Sequence, residues 1–295
     1  MGRIVRWLLA GMMLLAGCAS PPAATRPPSP VIGTSPPGPI KTNTSAPASP
    51  PTPTSGQPTL EIAPLEVSTI RRYDLLELDI LTSIISANPY NPDLLDIHVR
   101  LESPSGKEVE AGAFWYQDFD LRTRAPEGEA GWKVRFTPTE TGRWMATVYI
   151  PALDLHSEPV WFNVVASGLP GFVRVNPANP RYLAYDNGDF FFPIGLNMGW
   201  WGGCCDPIDQ YHRWLDAFSS NGGNTIRVWM AAWSFGIEWN DTPLGDYSNR
   251  MVQAWLLDQL FRLAETHGVH IILVLINHGQ FSPGQDSEWK QNPYN

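Results

Sequence analysis

The sequence predicts a multidomain chain in which an all-β sandwich is followed by the opening of a parallel α/β domain. Three observations carry that expectation. Between Thr59 and about residue 167, apolar and polar residues alternate in short runs. From Gly168 onward, strand-like and helix-like patterns take turns. Ahead of both lies a stretch too rich in proline to build a core.

The chain has 295 residues, room for about two domains. Residues 1–58 contain no Asp or Glu and four bases, Arg3, Arg6, Arg26 and Lys41. Residues 59–295 therefore hold all 29 acids against 16 bases, a net charge of −13. That balance argues against nucleic acid as a partner, because phosphates require a positive surface. It suits a neutral substrate such as a polysaccharide, and equally an acidic surface kept for solubility. Residues 1–18 read as a targeting signal, with Arg3 and Arg6 ahead of a short apolar run, Trp7 to Leu15. That run is too short for a membrane span, which needs about 20 apolar residues. The ending Leu15-Ala16-Gly17-Cys18 resembles the lipobox of bacterial lipoproteins. The resemblance implies lipidation at Cys18 and attachment to a membrane outside the cytoplasm. The anchor would lie in the outer membrane or on the outer face of the cytoplasmic membrane. With Ala19 after the Cys, the outer membrane is favoured where two membranes exist. Residues 19–58 are a linker holding 13 of the 29 prolines; extended at about 3.1 Å per residue, it could reach on the order of 100 Å.

In residues 59–167 the period is two. Trp132, Val134 and Phe136 share one face of GWKVRFTP, and Trp144, Ala146, Val148 and Ile150 share one face of GRWMATVYI. Further strands are expected at 74–82, 95–102, 112–119 and 158–166, separated by clusters such as Asn88-Pro89-Tyr90-Asn91-Pro92. About seven short strands in this length suggest an immunoglobulin-like sandwich. No catalytic grouping appears here. The trio Phe114-Trp115-Tyr116 could stack on sugar, or serve as core on one face and packing against a neighbouring domain on the other.

Residues 168–295 lack every common phosphate-loop and nucleophile-elbow signature. YLAYDNGDFFFPIG reads as a hairpin turning at Asp186-Asn187-Gly188 and running on to Leu196. Asp206-Pro207 opens a helix that Asn221-Gly222 closes. NTIRVW (224–229) is a strand, 230–248 a long loop, Asn249–His267 a helix closed by Gly268, and VHIILVLINHG a further strand. The strands are largely apolar, as when both faces are buried. Such β-α-β-α-β order builds an open doubly wound sheet or a (β/α)8 barrel. The barrel is favoured by polar-aromatic clusters at the strand ends, where barrel sites lie: Asn197, Trp200 and Trp201, then Arg227, Trp229 and Trp233, then Asn277 and His278. Tryptophan faces stack on sugar C–H faces, whereas Trp214 and Trp255, in helices, are expected to pack.

GGNTIRVW followed by HIILVLINHG resembles the second and third strands of cellulase-like retaining glycoside hydrolases with a (β/α)8 barrel. The stretch from ANPYNPDLLDIHVRLESPSGKEVEAGAFWYQDF to GRWMATV is similar to an immunoglobulin-like module, of the domain of unknown function 5060 type, found before such barrels. The fold class implied is a sandwich at 59–167 followed by the first three βα units of a truncated TIM barrel at 168–295. The resemblance further implies that Arg227 supports a carboxylate nucleophile, lowering its pKa. Asn197, Trp200, Trp201, Trp229, Trp233, Asn277 and His278 would bind a β-linked polysaccharide without any cofactor or metal. The family's two catalytic glutamates follow its fourth and seventh strands and are expected beyond Asn295. Glu238, Asp241, Asp246 and Glu288 match neither position, although retaining hydrolysis needs two carboxyl groups about 5–5.5 Å apart. The chain is thus expected to be an inactive fragment of a surface-anchored hydrolase. A non-catalytic carbohydrate-binding lipoprotein and a purely structural surface module also fit these residues. Three cysteines offer no C-x-x-C spacing for a metal, and the adjacent Cys204 and Cys205 fit a loop, a strained vicinal disulfide or a partner elsewhere.

Overall fold

A computed structural model describes residues 56–203, 205–284 and 289–294. The expected signal with Cys18, nearly all of the linker, Cys204 and Glu288 lie outside the described residues.

Period-two alternation becomes a sandwich of two sheets. One runs β1 (Leu60–Ile62), β3 (Leu76–Thr82), β7 (Pro126–Phe136), β6 (Phe114–Phe119). The other runs β2 (Thr69–Arg71), β10 (Val160–Val165), β8 (Gly142–Ile150), β4 (His98–Glu102), β5 (Glu108–Gly112), with β9 (Leu155–His156) paired to β8. Neighbours are antiparallel apart from the β2–β10 pair. Trp144, Ala146, Val148 and Ile150 of β8 all point into the core, meeting Leu78, Val99, Leu101 and Phe162. Side chains on alternate faces of a pleated strand produce that pattern directly. Trp144 stacks on Phe162 at 6.3 Å and its indole N–H donates to the Glu140 carbonyl at 2.9 Å. The three-residue strands β1 and β2, the two-residue β9 and the edge strand β5 (EVEAG) are additions to the expected set, each too short or too polar to alternate clearly.

The hairpin expected at 182–195 forms from β12 (Leu183–Tyr185) and β13 (Phe190–Phe191), with β11 (Val173–Val175) added on its outer side. Gly188 takes φ +92° in the turn, a conformation open to glycine. The second arm stops at Phe191 rather than running on to Leu196. After it come β14 (Gly195–Asn197), α1 (Pro207–Ser220), β15 (Thr225–Trp229), α2 (Met251–Thr266) and β16 (His270–Val274). Asp206 caps α1, its carboxylate accepting from the Ile208 and Asp209 N–H groups. The strands pair in parallel in the order β14-β15-β16.

The three strands form an open sheet: among the described residues β14 and β16 each keep a free edge, and no α-helix follows β16. The apolar runs suggest burial on both faces, but only one is covered. Ile226 and Val228 of β15 are fully covered by Tyr211, Leu215, Trp255 and Leu260 of the helices. On β16, Ile272 is 55% exposed, and Leu196 on the edge strand β14 is 57% exposed.

The two regions are welded at β6 and α2. Phe119 of β6 enters the second core and meets the Trp255 ring edge-on at 6.0 Å. The Trp255 indole N–H donates to Asp118 at 2.5 Å. Arg135 of β7 reaches Glu77 at 2.8 Å and Asp258 of α2 at 2.9 Å. Within the aromatic trio, Trp115 packs on Trp132 in the sandwich core, and Tyr116 packs against the second core, which is the neighbour-packing alternative for these residues.

Candidate functional site

The register sets the site. Asn197 lies beside Arg227 and Arg227 beside Ile272, while Trp229 pairs with Val274. Asn197, Trp229 and Val274 end their parallel strands, whereas Arg227 stands at the middle of β15, two residues before the end expected for it. Trp229 is the hub. Trp200 lies 5.1 Å from its ring, His278 meets it edge-on at 5.7 Å, and the Arg227 guanidinium carbon stands 5.5 Å from its centroid. Trp233 extends the cluster, edge-on to Trp200 at 5.7 Å. Asn197, Trp200 and Trp229 line a cleft of about 500 Å³. The cleft runs round the free edge of β14, since Leu196 and Trp214 of α1 also line it.

Five of the expected site residues are thus drawn into one ring-lined group: Trp200, Arg227, Trp229, Trp233 and His278. Asn197 lines the same cleft. Two others have different surroundings. Trp201 packs edge-on against buried Phe235 at 5.0 Å. Asn277 is buried, and its side-chain carbonyl accepts from the Gly279 and Gln280 N–H groups at 3.1 and 3.0 Å, so it ties a turn. Among the described residues Arg227 forms no ion pair; it is exposed and does not itself line the cleft.

Several supports were hidden in the sequence. Tyr211 reads as one member of an apolar stripe, yet its hydroxyl donates to the Met198 carbonyl at 2.7 Å and fixes the end of β14. Burial raises its pKa far above the ordinary phenol range, keeping the proton in place. Gln210 accepts from the Gly202 N–H at 2.6 Å and holds the loop beyond Trp200. Buried Arg250 anchors the long loop: it takes Asp241 in a forked pair near 2.9 Å and donates to the carbonyls of Ala232 and Gly236. A short Ser-Asn-Arg turn before a helix carries no sequence signal for that task.

The acids of this loop are engaged. Glu238 accepts from the Gly245 N–H at 2.6 Å and from the Tyr294 hydroxyl, whose pKa is pushed up to about 12 by burial and by that bond. Asp241 holds Arg250. Asp246 is kept below the usual carboxylate range by hydrogen bonds from Ser248. Among the described residues no group of three His, Cys, Asp or Glu could hold a metal ion, and no helix is long and apolar enough to cross a membrane.

Comparison with known proteins assigns part of this architecture. Residues 69–150, from β2 through β8, match the family called domain of unknown function 5060. No curated protein matches the chain. Among solved structures it is similar to a protein from Bacteroides vulgatus, provisionally designated a glycoside hydrolase, with 18% identity and a TM-score of 0.51. That likeness covers 70% of this chain and 41% of the other, so the chain spans about two fifths of the length of that relative. A second glycoside hydrolase aligns at 20% identity over 36% of this chain and 25% of its own, with a TM-score of 0.24. A family 39 glycoside hydrolase from Bacteroides cellulosilyticus aligns at 11% identity over 77% of this chain and 36% of its own, at 0.21. The first likeness extends through both regions and shows a shared multidomain, β-rich fold; the other two scores are too low to add to it.

Proposed function

We propose that the strand-end cluster is part of the substrate cleft of a retaining glycoside hydrolase acting on a β-linked polysaccharide. In this reading β14, β15 and β16 are the first three strands of a (β/α)8 barrel. The observation that carries it is the group centred on Trp229 at the end of β15: Trp200 and His278 lie against its ring, Trp233 lies against Trp200, and the Arg227 guanidinium, without an ion pair among the described residues, stands beside it. Ring faces suit the C–H faces of a sugar, and the cation suits a neighbouring carboxylate nucleophile, which it would keep ionised. The acids of the long loop are committed elsewhere, so the nucleophile and the general acid come from other segments of a longer protein. The free edges of β14 and β16 are where further strands would pair, and the bare sheet face is what their side chains would cover.

The test is hydrolysis by the intact protein. β-Linked glucans, mannans and xylans are offered, and the anomer released is read by NMR. Cleavage with retention is expected. Arg227→Ala should lower kcat at least a hundredfold with little change in KM, and Trp229→Ala should chiefly raise KM. Full activity in the Arg227 variant would sink the proposed role. We also propose anchoring through a lipid on Cys18, outside the cytoplasm; Cys18→Ala should release the protein from the membrane fraction.

A further inference from the structure

The sandwich and α2 do not close fully on one another. Between them lies a cavity of about 340 Å³, within the range of small-molecule sites. It shares no lining residue with the strand-end cleft. Its walls are aromatic: Tyr90, Phe114, Trp115, Tyr116, Tyr247 and Trp255. So dense a set of rings around a space is more than docking two surfaces requires, and it offers flat faces to a ring-shaped ligand.

The charged groups in the cavity lining are Arg135 and Asp258, and Gln117 is also polar. Arg135 is stacked on Phe114 and Tyr116, its central carbon 4.9 and 5.2 Å from their ring centres. Its Nε donates to Glu77 and its Nη1 to Asp258. Its Nη2 is buried without a partner among the described residues and is closed off from the cavity. Asp258 is the polar contact the lining offers, its one ion pair among the described residues being with Arg135.

Charge decides the class of ligand. In the lining Arg135 and Asp258 offset one another, and Arg135 is further held by Glu77 outside it, so the cavity presents no net positive charge. Burial raises the pKa of Asp258 in spite of Arg135, as a site poor in compensating charge does. The phenols stay protonated: Tyr90 is pushed up to about 12 by burial and by Asp246, and Tyr116 and Tyr247 are raised mainly by burial. Neutral hydroxyls that both donate and accept match this lining.

We propose that this cavity is an ancillary site for a neutral sugar ring, stacked on its aromatic walls, with one hydroxyl donating to Asp258. The inference stands on the cavity alone and does not need a catalytic role for the strand ends. The two places are joined by one loop, since 230–248 carries Trp233 at one and Ile237 and Tyr247 at the other.

The test titrates the intact protein with glucose, mannose, galactose and xylose, and with glucuronate as the anionic counterpart. Binding is followed by saturation-transfer NMR and by the indole N–H resonance of Trp255. At least one neutral sugar is expected to give a saturable response. Ala254→Trp, at an exposed helix position on the cavity wall, should weaken it tenfold or more, and Trp229→Ala should leave it unchanged. Phe114→Leu, which removes a ring but keeps an apolar side chain, should weaken it threefold or more and serves if Ala254→Trp does not fold. Three outcomes would overturn the proposal: no saturable response to any of the four neutral sugars, a response lost with Trp229→Ala but kept in the cavity variants, or tighter binding of glucuronate than of glucose.

Discussion

The sandwich and the parallel-sheet region bury their cores in different ways. In the sandwich two sheets cover one another, and Leu78, Val99, Leu101, Val134 and Trp144 are each at most 1% exposed. In the second region helices cover one face of a three-stranded sheet, and the other face is open. A sandwich satisfies itself because each sheet is the other's lid. A parallel sheet needs cover on both faces and has it here on one. The second core borrows Phe119 from the sandwich, while the buried core of the sandwich takes nothing from the second region.

The sharpest way to break this comparison is to damage each core separately. Trp144→Ala removes a ring packed on Phe136 and Phe162 and strands the Glu140 carbonyl. A loss of about 3–5 kcal/mol is expected, and it should reach both regions because docking depends on β6 and β7. Leu260→Ala, fully buried under β15, should cost about 2–5 kcal/mol. It should open only the second region. Amide exchange distinguishes them: in the Leu260 variant the amides of β3, β4 and β8 should stay protected. Loss of that protection would show the sandwich to be dependent after all.

The same asymmetry explains what the sequence could disclose. Strands with strict alternation, β7 and β8 above all, were legible because burial on one face and solvent on the other repeats every second residue. Helix α1 was legible from Asp206-Pro207 and Asn221-Gly222, which act locally. Strand β5 was not, because an edge strand need not bury a full face. The expectation of burial on both faces failed at Ile272 and Leu196, because apolar composition records what a strand can bury and not whether cover is present. The strand-end aromatics were legible as a group, since their positions follow from strand ends. Which of them cluster was not: Trp200 and Trp201 are neighbours in sequence, yet one joins Trp229 and the other packs on Phe235. The cavity between β6 and α2 depends on residues far apart in the chain, and no local pattern reports it.

The weld between the regions supplies the next test. Arg135→Met leaves Glu77 and Asp258 facing one another without their shared cation. Both side chains of the Arg135–Asp258 pair are about a quarter exposed, so the cost should fall below that of a fully buried pair, about 2–3 kcal/mol. Asp258→Asn should change stability at pH 7 by no more than about 1 kcal/mol, because burial already works against its charge. The pH dependence separates the two acids. Burial pushes Glu77 up, but hydrogen bonds from Lys133 and Arg135 outweigh it and its pKa is lowered. Its contribution is therefore complete above the ordinary carboxylate range and is lost as pH falls through its folded value. Asp258 is raised, so its contribution is present at low pH and declines as pH rises through the carboxylate range to its folded value. The stability of Asp258→Asn relative to the wild type should thus improve with rising pH and then level off. Urea melts from pH 3 to 7 check this; a variant that loses stability relative to the wild type as pH rises would reverse the assignment.

The smallest effect concerns Asp206, where one carboxylate serves both regions. It caps α1 through the Ile208 and Asp209 N–H groups and pairs with Arg124 of the sandwich loop. Asp206→Ala removes both roles and should cost about 0.5–2 kcal/mol. Asp206→Asn keeps an oxygen for the cap and gives up the charge. If the cap dominates, the Asn variant should lie within about 0.5 kcal/mol of the wild type, as Asn and Asp cap almost equally well. If the tie to Arg124 dominates, Asn should be nearly as damaging as Ala, and high salt should weaken the wild type toward it. The first result is expected. An ion pair with both partners partly exposed contributes little, whereas uncapped N–H groups at a helix start are a loss that salt does not change. Thermal melts of the two variants at low and high salt decide between them. They also show whether the second region is held to the sandwich chiefly by charge or, as Phe119 and Trp255 suggest, by rings.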